Sequence, residues 1–353
     1  MIGKTVFRYV SSNGGGGARI HCYQLNRALE KKGISTVTVI PSPRFDDPFT
    51  RSNLVEFEYI NADGMWSILG AILGRALGAC YLHSHLRRAD IFISVFSIFL
   101  RKKHVVTLHY PYSRAESSLL GFVMHKFALR RADKVVFISG FLKGHILKEY
   151  SLNEQDFKDS KIIYNASDSL SEIVVPSDDF DILKVCMVGE LSDRKGLPDF
   201  IKLVKAVRET DLNVEFHVFG VGPYSEMVNA LSKECPNIIV YHGYVADHSK
   251  IYSDMHCLLS MSYNEAFGRT VTEAMSCGVV PLLRNSGAFP ELVENGRSGF
   301  LFDDVASAID CLKAVSDDVF WSSVSNNAKE KYNELFSLSA FESSYSNFLK
   351  SVL

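Results

Sequence analysis

Two glutamates, Glu265 and Glu273, lie in a segment whose pattern changes from strand to helix and back. The apolar run Cys257–Met261 predicts a buried strand before them. Residues Thr270–Cys277 suit a helix, and Gly278 suits its end. Because another apolar run follows this glycine at once, the segment predicts the crossover of a parallel sheet. Glu265 would fall in the loop and Glu273 in the helix.

The start of this predicted helix is suited to bind an anion. The first backbone N–H groups of a helix have no partner within it, and such an end attracts phosphate. Here those groups belong to Phe267, Gly268 and Arg269. A phosphate cradle with a carboxylate on each side suits a phosphorylated sugar or a nucleoside diphosphate. The alternative is an ordinary crossover whose carboxylates are only solvated.

A second candidate loop follows the predicted strand Leu183–Val188. Arg194 and Lys195 in this loop could neutralise a diphosphate, the arginine by its fork of donors and the lysine as a point charge. Glu190 lies in the same loop, where a carboxylate would repel a diphosphate. The alternative is a solvated turn before the next helix.

Two further candidates lie in the first half of the chain. Four glycines, Gly14–Gly17, follow the first predicted strand and would let a ligand approach the backbone closely. A dinucleotide site is the alternative, but the usual glycine spacing and the acidic residue at the next strand end are missing. His109 follows the apolar run Val105–Leu108. A lone histidine is usually structural, but its position at a strand end also allows a ligand contact.

Together these motifs resemble the retaining glycosyltransferases of family 4, which have the GT-B fold. The resemblance rests on the Glu-x7-Glu spacing, on Gly268, on Glu273-Ala274 and on the later segment Gly287–Glu291. It implies an α/β protein with two facing Rossmann-like αβα domains, an interdomain cleft and a C-terminal helix that crosses back to the first domain. The chain departs from the family where Glu190 replaces an arginine and where Ala166 replaces a glycine.

The resemblance also implies a reaction. A sugar would pass from a nucleoside-diphosphate sugar, with UDP as the expected nucleotide, to a hydroxyl of a glycan or lipid-linked acceptor. The anomeric configuration would be retained, and neither a metal nor another cofactor is expected. The implied catalytic residues are His109, Glu265 and Lys195. The implied donor-binding residues are Gly15, Gly16, Arg194, Lys195, Gly220, Tyr244, Val245, Glu265, Ala266, Phe267, Gly268, Arg269 and Glu273, with Glu273 holding the ribose hydroxyls.

The order of elements predicts two domains. Strand and helix signals alternate on both sides of a segment rich in Ser and Asp, which predicts parallel sheets covered on both faces. The predicted domains are residues 1–166 with the helix 338–353, and residues 182–337, joined by a linker at 167–181. In the first domain, Ile91–Val95 predicts a buried strand and Met65–Leu82 predicts a helix. A helix lying on a membrane surface is the alternative for Met65–Leu82.

The composition fits a globular protein. The 353 residues are 47% hydrophobic and 22% charged, and the net charge of −2 gives no overall field that would recruit nucleic acid. Seven cysteines without a C-x-x-C pair favour buried thiols in a reducing compartment. Because the N-terminal residues lack the layout of a signal peptide, we expect a cytoplasmic protein. Met65–Leu82 and Arg101–Lys103 could bring it to the inner face of the membrane.

Three other functions stay open on the sequence. A sugar-nucleotide epimerase of similar fold would need no acceptor, and a degenerate subunit would bind nucleotide or glycan without turnover. The third is a dehydrogenase at the glycine-rich loop. A metal-dependent transferase would carry Asp-x-Asp at a strand end, but the pattern Asp179–Asp181 lies in the predicted linker. The sequence indicates neither the acceptor nor the oligomeric state.

Overall fold

The computed structural model describes residues 5–11, 17–41, 57–60, 65–170 and 181–352. The chain forms two compact units: unit 1 is Met1–Asn165 with Phe341–Leu353, and unit 2 is Ala166–Ala340. Gly15 and Gly16, most of the predicted linker, and Asp179 of the Asp-x-Asp pattern lie outside the described residues. Each unit is described by itself below.

Unit 1 is built on a parallel sheet whose seven described strands follow the order β3-β2-β1-β4-β5-β6-β7. The strands are β1 Thr5–Val10, β2 Ser35–Pro41, β3 Phe57–Ile60, β4 Tyr81–His85, β5 Lys103–Leu108, β6 Lys134–Phe137 and β7 Ser160–Ile162. The helices are α1 Gly17–Glu30, α2 Met65–Leu77, α3 Arg87–Phe99, α4 Leu119–Arg131 and α5 Gly140–Glu149.

Two sequence predictions in unit 1 are wrong. Ile91–Val95 is not a strand but part of α3, whose buried positions Ala89, Asp90, Ile93, Ser94 and Ser97 recur at helical spacing. The helix predicted over Met65–Leu82 ends at Leu77, and a strand begins at Tyr81. A short apolar run fits a buried strand or a buried helix equally well.

Unit 2 repeats the architecture with six described strands in the order β10-β9-β8-β11-β12-β13, all parallel. The strands are β8 Leu183–Val188, β9 Val214–Phe219, β10 Ile239–Gly243, β11 Cys257–Ser260, β12 Val280–Arg284 and β13 Phe300–Phe302. The helices are α6 Leu197–Val207, α7 Ser225–Glu234, α8 His248–Tyr252, α9 Arg269–Cys277, α10 Phe289–Leu292, α11 Val305–Val315 and α12 Asp318–Lys331.

Apolar periodicity explains how unit 2 closes its core. In α6 the buried residues Leu197, Phe200, Leu203, Val204 and Val207 are three or four apart, so they share one face. That face joins the strands in one hydrophobic cluster. The strand order reverses between β8 and β11, which leaves a crevice at their carboxyl ends.

The last helix, α13, spans Leu338–Leu349, so it is shorter than the predicted 338–353. Its buried residues Phe341, Tyr345, Phe348 and Leu349 are spaced on one face. The segment from Phe341 onwards belongs to unit 1, although the preceding residues belong to unit 2. The predicted return of the C-terminal helix to the first domain is therefore confirmed.

Among the described helices, none combines the length and the hydropathy that a membrane span requires. The helix α2 has 13 residues.

Candidate active site

The cationic loop of unit 2 meets Glu265 at the crevice between β8 and β11. Lys195 Nζ contacts Glu265 Oε1, and Arg194 Nη1 donates to the same oxygen over 3.1 Å. The loop after β8 and the loop after β11 are neighbours in the sheet although they are 70 residues apart in sequence. The two cations and Glu265, predicted separately as site residues, therefore form one cluster.

The electrostatics of this cluster keep Glu265 ionised. Burial alone would raise the pKa of Glu265, but Lys195 and Arg194 outweigh it and hold the pKa below its usual value. Glu190, at the position where an arginine was expected, lies with Oε2 3.8 Å from Arg194 Nη2. Two carboxylates thus compete for Arg194, and the cluster of four side chains has no net charge.

A left-handed glycine fixes Lys195 in place. Gly196 has φ of 75°, and a Cβ there would lie 2.2 Å from the backbone oxygen of Met261. Only glycine allows this approach between the loop after β8 and the end of β11. The contact holds the backbone of Lys195 beside the loop that carries Glu265.

An open cavity of about 310 Å³ lies beside this cluster. Its lining includes three predicted donor-binding residues, Gly220, Tyr244 and Val245, and also Glu190. The floor is tight, because a Cβ at Gly220 would lie 1.8 Å from the backbone oxygen of Gly189. The remaining lining is largely apolar and consists of Val188, Gly189, Phe219, Val221, His248, Ile251 and Thr270. The volume and lining suit one planar heterocycle with a pentose.

Glu273 is linked to this cavity by His248, a residue that the sequence analysis missed. Glu273 Oε2 lies 3.0 Å from His248 Nδ1 and accepts a hydrogen bond from the Tyr252 hydroxyl over 3.3 Å. The hydrogen bond to Glu273 raises the pKa of His248. Glu273 Oε1 accepts no bond from the described residues, so it is available to a ligand hydroxyl. His248 carried one signal: it begins a short helix after the strand β10.

The residues just before α9 were predicted to bind the donor. The helix begins at Arg269 after Gly268, which has φ of 115°, close to where the sequence predicted its start. The Phe267 side chain is buried against Phe336, so Phe267 can meet a ligand only through its backbone. Burial lowers the pKa of Arg269, although the residue as a whole is only half-buried. Its role in donor binding stays a prediction.

His109 lies in unit 1, beside two other histidines. Its Nε2 is 2.8 Å from His85 Nδ1, and its ring centre is 4.7 Å from that of His21. Burial lowers the pKa of His109 to about 3 and that of His85 well below its usual value. Both rings are therefore uncharged at neutral pH. His21 Nδ1 is bonded to Asn165 Oδ1 over 2.7 Å.

Comparison with known proteins identifies the two halves of the chain separately. The family model for "Glycosyl transferases group 1" matches residues 179–331, and that for "Glycosyltransferase Family 4" matches residues 15–169. Together the two matches cover most of unit 2 and most of unit 1.

Curated relatives are similar at moderate identity. Sucrose synthase 2 of Pisum sativum is 26% identical over 217 residues, which are 60% of this chain and 22% of the pea protein. The capsular polysaccharide biosynthesis glycosyltransferase CapM of Staphylococcus aureus is 24% identical over 254 residues, 65% of each chain. The match therefore spans less than two thirds of the length of these relatives.

A solved structure shares the fold over the whole chain. The Anabaena protein Alr3699/HepE, solved in complex with UDP, superposes with a TM-score of 0.82 at 19% identity. The superposition covers 99% of this chain and 100% of the Anabaena chain.

Proposed function

Because the chain belongs to the family 4 glycosyltransferases and has the GT-B fold, we propose that it transfers a sugar from a nucleoside-diphosphate sugar to a hydroxyl of a glycan or lipid-linked acceptor. One observation carries the proposal. A cavity of about 310 Å³, sized for a nucleoside, lies beside the cluster of Lys195, Arg194 and Glu265. The cavity suits the base and ribose of the donor, and the two cations suit its diphosphate.

The cluster has a direct role in the proposed chemistry. Arg194 and Lys195 would exchange Glu265 for the oxygens of the diphosphate and stabilise the negative charge that develops on it. Glu265, once released from the cations, would face the sugar and stabilise positive charge at its anomeric carbon. Glu273 Oε1 would accept a bond from a ribose hydroxyl, with its other oxygen held by His248.

The proposed transfer retains configuration and needs no metal. The bond from the anomeric carbon to the phosphate oxygen breaks, and the acceptor oxygen bonds to that carbon on the same face. The proton of the acceptor hydroxyl passes to the departing phosphate oxygen. A double displacement would require a carboxylate or another nucleophile on the opposite face, and no residue has been assigned to that role. His109 would contact the donor sugar as an uncharged imidazole.

Similar proteins support the proposed donor and the proposed setting. The Anabaena protein has been solved with UDP, which supports UDP as the nucleotide. The name of the S. aureus relative supports a role in surface polysaccharide assembly. Lipid-linked acceptors lie at membranes, and we propose that unit 1 docks on the cytoplasmic face.

A thermal-shift screen tests the donor site. Purified protein is heated with each nucleoside diphosphate and its sugar conjugates, with and without EDTA. A ligand at about 100 times its Kd stabilises the native state by about 2.7 kcal/mol. We expect one base to raise the Tm, equally in EDTA, and Lys195→Ala to abolish the shift.

Glu273→Ala should raise the donor KM roughly tenfold or more, because it removes a bond to a charged acceptor.

Lys202→Ala is the matched control, since Lys202 lies on α6 with a side chain that is 69% exposed and paired with Asp199. If Lys195→Ala and Lys202→Ala respond alike, the site assignment is wrong.

Product analysis without acceptor separates the transferase from the alternative epimerase. An epimerase converts the donor sugar without an acceptor, and a transferase does not. Binding without turnover against a broad acceptor panel would indicate a degenerate subunit.

A further inference from the structure

Three histidines of unit 1 lie at the crevice of its own sheet. His85 ends β4, His109 follows β5, and His21 lies on α1. One ring nitrogen from each is within 4.8 Å of the other two. The strand order reverses between β1 and β4, so this is the edge at which open α/β sheets bind ligands.

The chemistry of the cluster suits a transition-metal ion. Imidazole nitrogens are ligands for Zn²⁺, and a site with three histidines and an open fourth position is an established arrangement. Zinc lies about 2.0–2.1 Å from such nitrogens, so the nitrogens themselves are roughly 3.3 Å apart in a tetrahedral site. His85 Nδ1 and His109 Nε2 are 2.8 Å apart. A separation of about half an ångström would therefore bring this pair to ligand spacing. The His21 nitrogen, which lies within 4.8 Å of both, would move closer to complete the site.

The protons of the cluster can be placed so that the inner nitrogens are free for a metal. His85 Nε2 and His109 Nδ1, the outer nitrogens, have no partner among the described residues. No described group donates to them, so each can carry its own N–H and leave the inner lone pair to the ion. His21 holds Asn165 with one nitrogen and the Tyr345 hydroxyl, 2.8 Å away, with the other. Ligation would use one nitrogen and keep the other bond as an orienting partner.

We propose that His21, His85 and His109 form a binding site for a divalent transition metal such as Zn²⁺. The fourth position is left for water. The ion takes no part in transfer, and it inhibits because it captures His109. This inhibition rests on the proposed function, whereas metal binding itself does not.

Metal titration of the chain without an affinity tag tests the site. Protein freed of metal by EDTA is dialysed and titrated with Zn²⁺ against a chromogenic chelator, and with Co²⁺ by visible absorption. We expect one ion per chain and the intense spectrum of four-coordinate Co²⁺. Changes to orienting partners alone cost 10–100-fold in affinity, so loss of a ligand in His85→Gln should weaken Zn²⁺ binding by about 100-fold or more.

His217→Gln is the matched control, because His217 and His242 of unit 2 also have ring nitrogens in close contact, 3.0 Å apart. Its affinity should equal that of the wild type. Equal affinity of His85→Gln and the wild type, or the weak spectrum of six-coordinate Co²⁺, would mean an adventitious ion only and overturn the proposal.

A measurement on the unaltered chain covers the case in which His85→Gln does not fold. X-ray absorption of the Zn²⁺-loaded wild type should count three imidazoles, and fewer than three would also overturn the proposal. Nucleoside diphosphate binding by unit 2 is read separately by thermal shift. If the chain binds no metal, the proposed transfer is unaffected. If the chain binds the metal but no nucleoside diphosphate, the metal site stands and only the proposed inhibition loses its support.

Discussion

At the residue scale, the candidate donor site combines two cations from the loop after β8 with a carboxylate from the loop after β11. The types of Arg194, Lys195 and Glu265 could be read from the sequence, but their contact could not. It depends on β8 and β11 being neighbours, a property of sheet order. His248 was missed because its role depends on Glu273, 25 residues further along the chain. Whether these residues bind a donor stays a prediction.

Glu190 should weaken donor binding. It lines the nucleoside-sized cavity and lies 3.8 Å from Arg194, so it competes with a diphosphate for that cation. Both side chains are more than half exposed, which limits the effect to that of a surface pair. Glu190→Gln should therefore lower the Kd for the nucleoside diphosphate about two- to fivefold in isothermal titration calorimetry.

The control for this prediction is Glu234→Gln, which removes the same charge from an exposed residue at the far end of α7. It should leave the Kd unchanged. An unchanged or weaker affinity in Glu190→Gln would show that the carboxylate does not oppose the diphosphate.

His248 should make the stability of unit 2 depend on pH. Its pKa is raised above the usual value of about 6.5 by the bond to Glu273. The contribution is therefore fully present below about pH 6.5 and is lost as the pH rises through the raised pKa. Urea unfolding at a series of pH values should show this loss in the wild type but not in His248→Asn.

Glu273→Gln should remove the same pH dependence, because it removes the other partner of the bond. A constant difference in unfolding free energy between the wild type and His248→Asn across the series would contradict the prediction.

At the element scale, the GT-B fold class is confirmed, and unit 2 follows its apolar pattern closely. Its strands β8, β9 and β10 end at or just before a glycine, and the predicted strands Leu183–Val188 and Cys257–Met261 agree with β8 and β11 to within one residue. In unit 1 the secondary structure predicted from the sequence was wrong between residues 65 and 99. The strand β4 reads Tyr-Leu-His-Ser-His, and all five residues are buried. Hydropathy could not reveal this strand because its polar side chains are satisfied by distant partners, such as Thr107 for His83.

The helix α13 should depend on one hydroxyl for its attachment to unit 1. Tyr345 Oη lies 2.8 Å from His21 Nε2 and 3.1 Å from Thr107 Oγ1, and all three side chains are buried. Tyr345→Phe leaves these polar groups without the hydroxyl, so it should cost about 1–3 kcal/mol of unfolding free energy. Urea denaturation checks this value.

Tyr23→Phe serves as the control, since the Tyr23 hydroxyl has no hydrogen bond within the described residues. Its unfolding free energy should stay within about 0.5 kcal/mol of the wild type. If both variants lose equally little, the hydroxyl network does not attach the helix.

At the scale of the whole molecule, charge is divided unevenly along a nearly neutral chain. The net charge is −2, yet residues 65–131 carry ten Lys and Arg against two acidic residues, a net +8. The same segment exposes an apolar stripe on α4, formed by Leu119, Leu120, Val123 and Phe127. Leu119, Val123 and Phe127 share one helical face because they are four residues apart. The membrane contact predicted from the sequence was Met65–Leu82 with Arg101–Lys103, and this stripe was not predicted.

The apolar stripe within a basic segment should bind anionic membranes. Basic residues attract anionic lipid and apolar side chains insert at the interface, and the electrostatic part falls with salt. We expect the protein to float with vesicles containing phosphatidylglycerol, less at high salt, and not with pure phosphatidylcholine. Burial of apolar surface is worth about 25 cal/mol per Å², so Val123→Ser with Phe127→Ser should weaken binding about tenfold or more. Val319→Ser, at a 77% exposed valine of unit 2, should not. Equal flotation with both lipids, or no effect of the double change, would contradict membrane binding by this stripe.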